Sequence, residues 1–480
     1  MSHRDFREFL AAAEQQGMLR RVRQTVDRTW EPGCMVKWTF QALSNEDRFG
    51  LLFEDVEGSE FRLATGAIGA SKYAYALALG VEPEEVNDVW VNALCNPLEP
   101  VAVDDAPCQE VVKTGDDIRL SGLPIPVWTP GKDNGPYITT TTVTRDADTG
   151  NQNMGVYRTR VRDDNHVVVN LNPRRHGHNQ ISTWLDRGKP APIAWVIGAE
   201  PAVHYASVGA VQAGVQEISV AGGLMGAPVQ LVKCVTSDIM VPANAEIIIE
   251  GELLPGETDM EGPFGENFGY MSDSSFKPVA RITAITHRKD AIYYGIASQM
   301  PPSESTVIQS TANAALTLKI LRHDLGETTV SDLYYDYTFG GQAAHGIVCM
   351  KPLHPGHAKK VGRTVAEISS LKRITVVDED VDIRDPVHMD WAMNARFNPV
   401  QDTILIDGIF VRMNVDPSVP LTGSIKMGGK IVFDATQTLE EGEFSLPAKE
   451  TMMKSLETWK EAGLPDFEIP KRARLRLDRS

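Results

Sequence analysis

Two glutamates, Glu261 and Glu266, flank the turn Gly262-Pro263-Phe264-Gly265 and are followed by Asn267-Phe268-Gly269-Tyr270. A proline and two glycines make this segment a poor interior for a helix or a regular strand. Glycine also lets backbone and ligand approach closely. Two carboxylates near one ligand repel when both are ionised, so at least one is expected to hold its proton longer than usual. A carboxyl protonated near neutral pH can act as a general acid, and a neighbouring arginine keeps its partner ionised. Arg158 ends the β-like run that starts after Asn153. Its guanidinium grips a carboxylate or phosphate with two parallel hydrogen bonds, or pairs with a glutamate. A loop ExxxxE alone reads as solvated charge, and a lone arginine as a surface residue. The glycines and proline that commit the loop to one shape favour a site. A cation and two acids are what an enzyme needs to hold a carboxylate and move a proton.

Weaker candidates surround this set. His176 and His178 lie in an Arg-Arg-His-Gly-His stretch read as a loop, but they flank glycine and lack a third nearby ligand, so zinc is poorly served. Asn153, His176 and a distant carboxylate such as Glu217 would instead make a mixed oxygen and nitrogen site for a harder divalent ion. Asp378-Glu379-Asp380 at a strand end reads as a Mg²⁺ candidate or, more simply, a solvated turn. His354-Pro-Gly-His357 reads as turn and cap chemistry before a helix. Gly428-Gly429 has no nucleotide-binding context, and no GxSxG elbow occurs.

The elements that must position these residues change character along the chain. Ser2-x-x-Asp5 reads as a capping box for a helix with Phe6, Phe9, Leu10 and Ala13 on one face and Gly17 as its stop. Mixed α/β texture, including helix-like Ser71–Leu79, continues to about residue 105. The proline-rich run Ser121–Gly131 reads as a linker or an approach to the site. Short β-type runs follow: Ile138–Val143, Val167–Asn170, Ile193–Ile197, Val229–Val235 and Ile247–Glu250. Such punctuation suggests a barrel or sandwich. Ser305–Leu321 reads as a bridging helix. Gly346–Met350, Ala358–Leu371 and Ile374–Val377 read as strand, helix, strand, hence a parallel α/β region. Thr451–Ala462 reads as a last helix and Lys471–Arg479 as an exposed basic tail.

With 480 residues the chain exceeds one ordinary core. The hydrophobic content of 42% and charged content of 23% suit a soluble globular protein. A net charge of −17 argues against nucleic acid or an anionic membrane as partner. Five scattered cysteines, without a CxxC pair, fit a reducing cytoplasm and give no disulfide frame. The N-terminus lacks an apolar signal core, and no window is long and apolar enough to span a membrane.

Together these segments resemble the UbiD family of reversible decarboxylases, whose cofactor is prenylated FMN. The resemblance is carried by Asn153-x-Gly-x-Tyr-Arg158, Pro173-Arg-Arg-His176, Val232-Lys-Cys, Val241-Pro-Ala-x-Ala-Glu246-Ile, Glu250-Gly, Glu261-Gly-Pro-Phe-Gly-Glu266-x-x-Gly-Tyr270, Pro355-Gly-His-Ala-Lys and Trp391-Ala-Met. It implies a mixed α/β fold: an N-terminal α/β portion (1–105), a split β-barrel that binds the flavin (106–303), a linking helix (304–330) and a C-terminal α/β oligomerisation domain (331–480). It also implies a catalytic set of Arg158, Glu261 and Glu266. Asn153, His176 and Glu217 would hold Mn²⁺ or Mg²⁺ at the cofactor phosphate. K⁺ would sit near the Ala206-Ser207-Val208 loop, and Val156, Tyr157 and Arg175 would line the cofactor; Arg175 replaces a glutamine of some relatives. The implied reaction is CO₂ loss from an aromatic, heteroaromatic or α,β-unsaturated acid through a covalent adduct with the flavin, with Glu266 as proton donor. A flavin prenyltransferase would supply the cofactor, and a homodimer or homohexamer is expected. Substrate specificity is expected from Ile308–Ala315 and the 390s–420s. A physiological carboxylase, a silent cofactor-binding subunit and a metal-dependent hydrolase stand as alternatives.

Overall fold

The computed structural model describes residues 3–173, 176–209, 211–212, 214–339, 345–410, 418–419, 427–437 and 444–479. Contacts divide the chain into two compact units, one running from the N-terminus to Leu316 and the other taking up most of the chain from Thr317. Among the described residues, no helix is long and apolar enough to cross a membrane.

In the first unit, helix Phe6–Gln15 buries Phe6, Phe9, Leu10 and Ala13, and Gly17 ends it at φ 74°. Its cap is Asp5, whose carboxylate accepts from Glu8 N, and not Ser2, which lies outside the described residues. This helix covers a four-stranded sheet ordered Leu19–Val26, Gly50–Val56, Arg62–Thr65 and Ile292–Gly295. The last strand arrives from far along the chain and pairs in parallel with Arg62–Thr65. Buried Glu246 ties helix to sheet: it takes a two-pronged bond from Arg7 (2.7 and 2.8 Å) and the Ile292 N–H (3.0 Å).

The site is built on a nine-stranded antiparallel sheet. Its order is Tyr137–Ile138, Thr159–Val161, His166–Val169, Ser275–His287, Ile247–Glu261, Ala191–Ile197, Thr141–Arg145 and Gln152–Val156, with Val111–Thr114 also on Ser275–His287. Gln152–Val156 is one edge, and Thr159–Val161 is second from the other. Laid flat, six spacings would separate them by roughly 29 Å. Only Tyr157 and Arg158 connect them, and that link reaches roughly 11 Å. The sheet therefore curls into a half-barrel, and Arg158 stands at its seam.

Ile247–Glu250 proves to be only the start of a 15-residue strand, Ile247–Glu261. Pro255 and Gly256 (φ 75°) look like a turn in sequence, yet they fall in a register shift between Leu253 and Thr258. An irregularity bends a strand without ending it, and here it carries the strand on to Glu261.

Helix Glu304–Lys319 opens on a buried carboxylate. Glu304 accepts from the backbone N–H of Gly66, Ile68, Gly69 and Ala297 and from the Tyr294 hydroxyl. Burial pushes its pKa up while these donors pull it down.

The second unit has a five-stranded sheet ordered Val330–Asp336, His345–Met350, Arg373–Asp378, Met427–Asp434 and Thr403–Phe410. The three middle strands are parallel and both outer pairs antiparallel. Helix His357–Ile368 lies on it through Val361, Gly362 and Val365; a Cβ at Gly362 would meet Val432 at 2.4 Å. The expected exposed tail is instead a helix, Lys471–Leu477, with Leu477 buried and Arg472 paired with Asp385 at 2.6 Å.

Candidate active site

Arg158 is surrounded by acceptors. Its Nε and Nη2 donate to the two oxygens of Glu261 (2.8 and 2.9 Å), and Nη2 also donates to Ser272 Oγ (3.0 Å). Nη1 donates to Glu266 Oε1. With its amide oxygen turned toward the guanidinium, Asn170 accepts from Nε (2.9 Å) and Nη2 (3.2 Å). The cation also lies over the Phe264 ring, 5.1 Å from its centroid. Burial works against the Arg158 charge, but Glu266 and Glu261 outweigh it and hold the pKa above that of an ordinary arginine.

The two acids are not equivalent. The Glu261 side chain is 0% exposed and that of Glu266 31%. Glu261 sits at the end of the long strand, and both its oxygens are engaged by Arg158. Glu266 lies beyond the turn and meets Arg158 through one oxygen. Gly262, at φ 83° with its would-be Cβ 2.7 Å from Asp273 O, makes that turn possible. Its N–H donates to the Tyr137 hydroxyl (3.1 Å). Burial, then the Glu261 charge, pushes Tyr137 well up, so it stays a neutral phenol. Lys277 donates to Asn172 Oδ1 (3.1 Å), and burial lowers its pKa against the pull of Glu261.

The candidate metal ligands converge around the edge strand Gln152–Val156. Tyr157 accepts from Asn153 Nδ2 and from Gly177 N, both at 3.2 Å, which joins Asn153 to the start of helix His176–Leu185. His176 is thus a helix N-terminal residue, not a loop residue, with an exposed side chain. The Met154 N–H donates to Glu217 Oε2 at 3.1 Å. Burial raises the Glu217 pKa, while that N–H and nearby His176 pull it down. Among the described residues no three His, Cys, Asp or Glu side chains gather as a metal cluster. The expected set holds only two of those types, with an amide as third. Its donors fit a hard divalent ion: Asn153 spends its amide nitrogen on Tyr157, which leaves its oxygen, and Glu217 is a buried carboxylate.

The cofactor-lining candidates fall around the same edge. Val156 ends the edge strand and is half-buried. Thr142, paired with Gly155 across the sheet, is buried with an unpartnered hydroxyl among the described residues. Arg175 lies outside the described residues. Ala206, Ser207 and Val208 form the last turn of helix Pro201–Val208 and not a loop, with Ser207 Oγ 2.7 Å from Thr141 Oγ1. Last-turn carbonyls have no intrahelical partner and so can accept from elsewhere. Ile308 is fully buried on helix Glu304–Lys319; much of the stretch 411–426 lies outside the described residues.

Three family models match in chain order: the 3-octaprenyl-4-hydroxybenzoate carboxy-lyase N-terminal domain over 10–94, its Rift-related domain over 99–301 and its C-terminal domain over 306–435. The UbiD-class enzyme HmfF from Pelotomaculum thermopropionicum, solved with FMN, is 31% identical over 92% of this chain and 97% of its own, with a TM-score of 0.83. The chain belongs to the UbiD family. It is an enzyme of the carboxy-lyase class. Two further UbiD-like structures match over nearly their whole length. Vanillic acid decarboxylase from Sedimentibacter hydroxybenzoicus in its closed form is 27% identical, over 96% of this chain and 100% of its own, with a TM-score of 0.81. Apo 3,4-dihydroxybenzoic acid decarboxylase from Klebsiella pneumoniae is 26% identical, over 94% and 99%, with a TM-score of 0.83.

The motifs in the chain point to Arg158, Glu261 and Glu266 but not to Asn170 and Ser272. Asn170 ends a segment read as a strand, and Ser272 follows the motif by two residues. Short polar residues beside a buried arginine are the only signal either carries.

Proposed function

We propose that this UbiD-family chain is a non-oxidative, reversible decarboxylase of an aromatic, heteroaromatic or α,β-unsaturated carboxylic acid. The observation that carries the reading is the asymmetry of the acids around Arg158. Glu261 is buried and gives both oxygens to the guanidinium, whereas Glu266 meets it through one oxygen and its side chain is 31% exposed. Prenylated FMN is the proposed cofactor, in keeping with the flavin complexes of HmfF. When bound it supplies the electron sink that takes up the pair left by departing CO₂, which no side chain can delocalise.

The remaining steps fall to this chain's own residues. Arg158 orients the substrate carboxylate, and Glu261 holds Arg158 in place. Phe264 and Tyr137 shield the site from water, which strengthens each charge interaction within it. Glu266 delivers a proton to the carbon that loses CO₂, so that an acid RCO₂⁻ and one proton become RH and CO₂. Asn153, His176 and Glu217 would hold Mn²⁺ or Mg²⁺ beside the cofactor phosphate. The last-turn carbonyls at Ala206–Val208 would serve K⁺. A flavin prenyltransferase supplies the cofactor, a homodimer or homohexamer is the proposed assembly, and the cytoplasm its compartment, which suits five free cysteines.

The test is CO₂ release from a panel of such acids by protein co-expressed with a flavin prenyltransferase, with cofactor mass and Mn²⁺ content measured on the same preparation. Turnover of at least one acid, dependent on the cofactor, supports the reading. Colourless protein after anaerobic reconstitution would overturn it.

A further inference from the structure

A second group of side chains stands behind the acid loop. Lys37 lies on helix Glu31–Ala42, one turn after Gly33. A Cβ at Gly33 would come within 2.5 Å of Val127 O and 3.1 Å of Trp128 O, so the helix rests directly on that segment. Lys37 Nζ donates to Trp128 O (2.8 Å) and to Gln299 Oε1 (2.7 Å). At the other end of the same peptide unit, Thr129 N–H donates to Asp133 Oδ2 (2.6 Å). A cation on the carbonyl and an anion on the N–H polarise one amide from both sides, and each bond strengthens the other.

The grip passes to the acid loop. Asp133 Oδ1 accepts from Gly265 N (3.3 Å), and Asn134 N donates to Pro263 O (3.2 Å). Gly265 immediately precedes Glu266, and a Cβ there would lie 2.3 Å from Gln299 Cγ and 2.9 Å from Thr129 Oγ1. Gln299 is buried at φ 82°, a conformation that a non-glycine residue keeps only where its surroundings over-determine it. Burial lowers the Lys37 pKa to about 8 and raises that of Asp133, and the attraction between the two opposes both shifts.

We infer that Lys37 and Asp133 are positioning residues: they clamp the Trp128–Thr129 peptide and the Gly265 amide, and so fix where the Glu266 carboxyl stands. The kinetic consequence rests on the decarboxylase reading; the clamp itself does not.

Hydrogen exchange on the full chain separates the two. In Lys37→Met and Asp133→Asn, amides over residues 262–270 should exchange about tenfold faster, with the rest of the sheet unchanged and Lys37→Arg near wild type. Unchanged exchange there, or a rise spread evenly over the sheet, would overturn the clamp. In flavin-loaded enzyme the same two variants should lose about 10–10²-fold in kcat, with KM within about twofold and full flavin content. A loss confined to KM, or no rescue by Lys37→Arg, would overturn it as well. Wild-type protein that releases no CO₂ sinks the decarboxylase reading, and exchange still decides the clamp.

Discussion

Each compact unit of this chain contains an arginine held between two carboxylates, and the two clusters do different things. In the C-terminal unit Arg396 donates to Asp378 (2.9 Å) and to both oxygens of Asp380 (2.7 and 2.6 Å). Arg479 adds a second cation on Asp380, the Gln437 N–H a further donor on Asp378 (2.7 Å), and Trp391 lies under the Arg396 guanidinium. Two arginines face two aspartates, and the charge closes. Asp378 and Asp380 of the candidate Mg²⁺ site thus belong to an ion-pair network that joins helix Pro386–Arg396 to Arg479, just past helix Lys471–Leu477. Around Arg158 two glutamates share one guanidinium: Glu261 is buried in that pair, and the Glu266 side chain is 31% exposed. Acids suit proton delivery when one of them stays partly exposed, not merely when they are near an arginine.

The sharpest way to break this contrast is Glu266→Gln. It should cut turnover by ~10²–10⁴-fold with flavin still bound, and denaturant unfolding should move by no more than about 1 kcal/mol; near-normal turnover would remove the distinction. Asp380→Asn should do the reverse, costing the C-terminal unit about 3–5 kcal/mol in urea unfolding because two arginines lose a buried partner, with kcat of the loaded enzyme retained. Third comes pH. Lys37, faced by Asp133 and Cys34, has a folded pKa of about 8, below that of a free lysine. Between that value and about 10.4 the unfolded chain binds more protons, so this group adds stability as pH rises. If the clamp needs the ammonium, kcat should instead fall above about pH 8 while thermal stability does not. In Lys37→Arg that limb should vanish. The smallest effect belongs to Arg479→Ala, about 1 kcal/mol in the same unfolding experiment, since Arg396 still holds Asp380.

Much of this was readable in the chain, for physical reasons that also explain the omissions. The Glu261–Glu266 turn stood out because a proline and glycines next to two acids leave few backbone shapes. Helix Phe6–Gln15 followed from apolar spacing and a capping acid, and His357–Ile368 from apolar spacing. Pro255-Gly256 hid the long strand because a bulge and a turn use the same residues. Helix Lys471–Leu477 looked like a solvated tail because Arg472 pairs with Asp385, 87 residues earlier, and Arg479, just past the helix, with Asp380, 99 residues earlier. Lys37 and Asp133 gave no local sign at all. Lone charged residues near an aromatic are common on surfaces, and only the fold brings them to Gly265.

The strand Ile292–Gly295 has a further consequence, in the order in which the chain can assemble. It completes a sheet whose other strands all lie before residue 66. At a synthesis rate of ~5–20 residues per second, that partner emerges roughly 10–50 s after Arg62–Thr65. Until then the Arg62–Thr65 edge has no neighbour on that side, and an open strand edge invites pairing with other chains. The N-terminal segment is thus open to mispairing during translation, and expression cut short before residue 292 should yield aggregates and not a small folded domain.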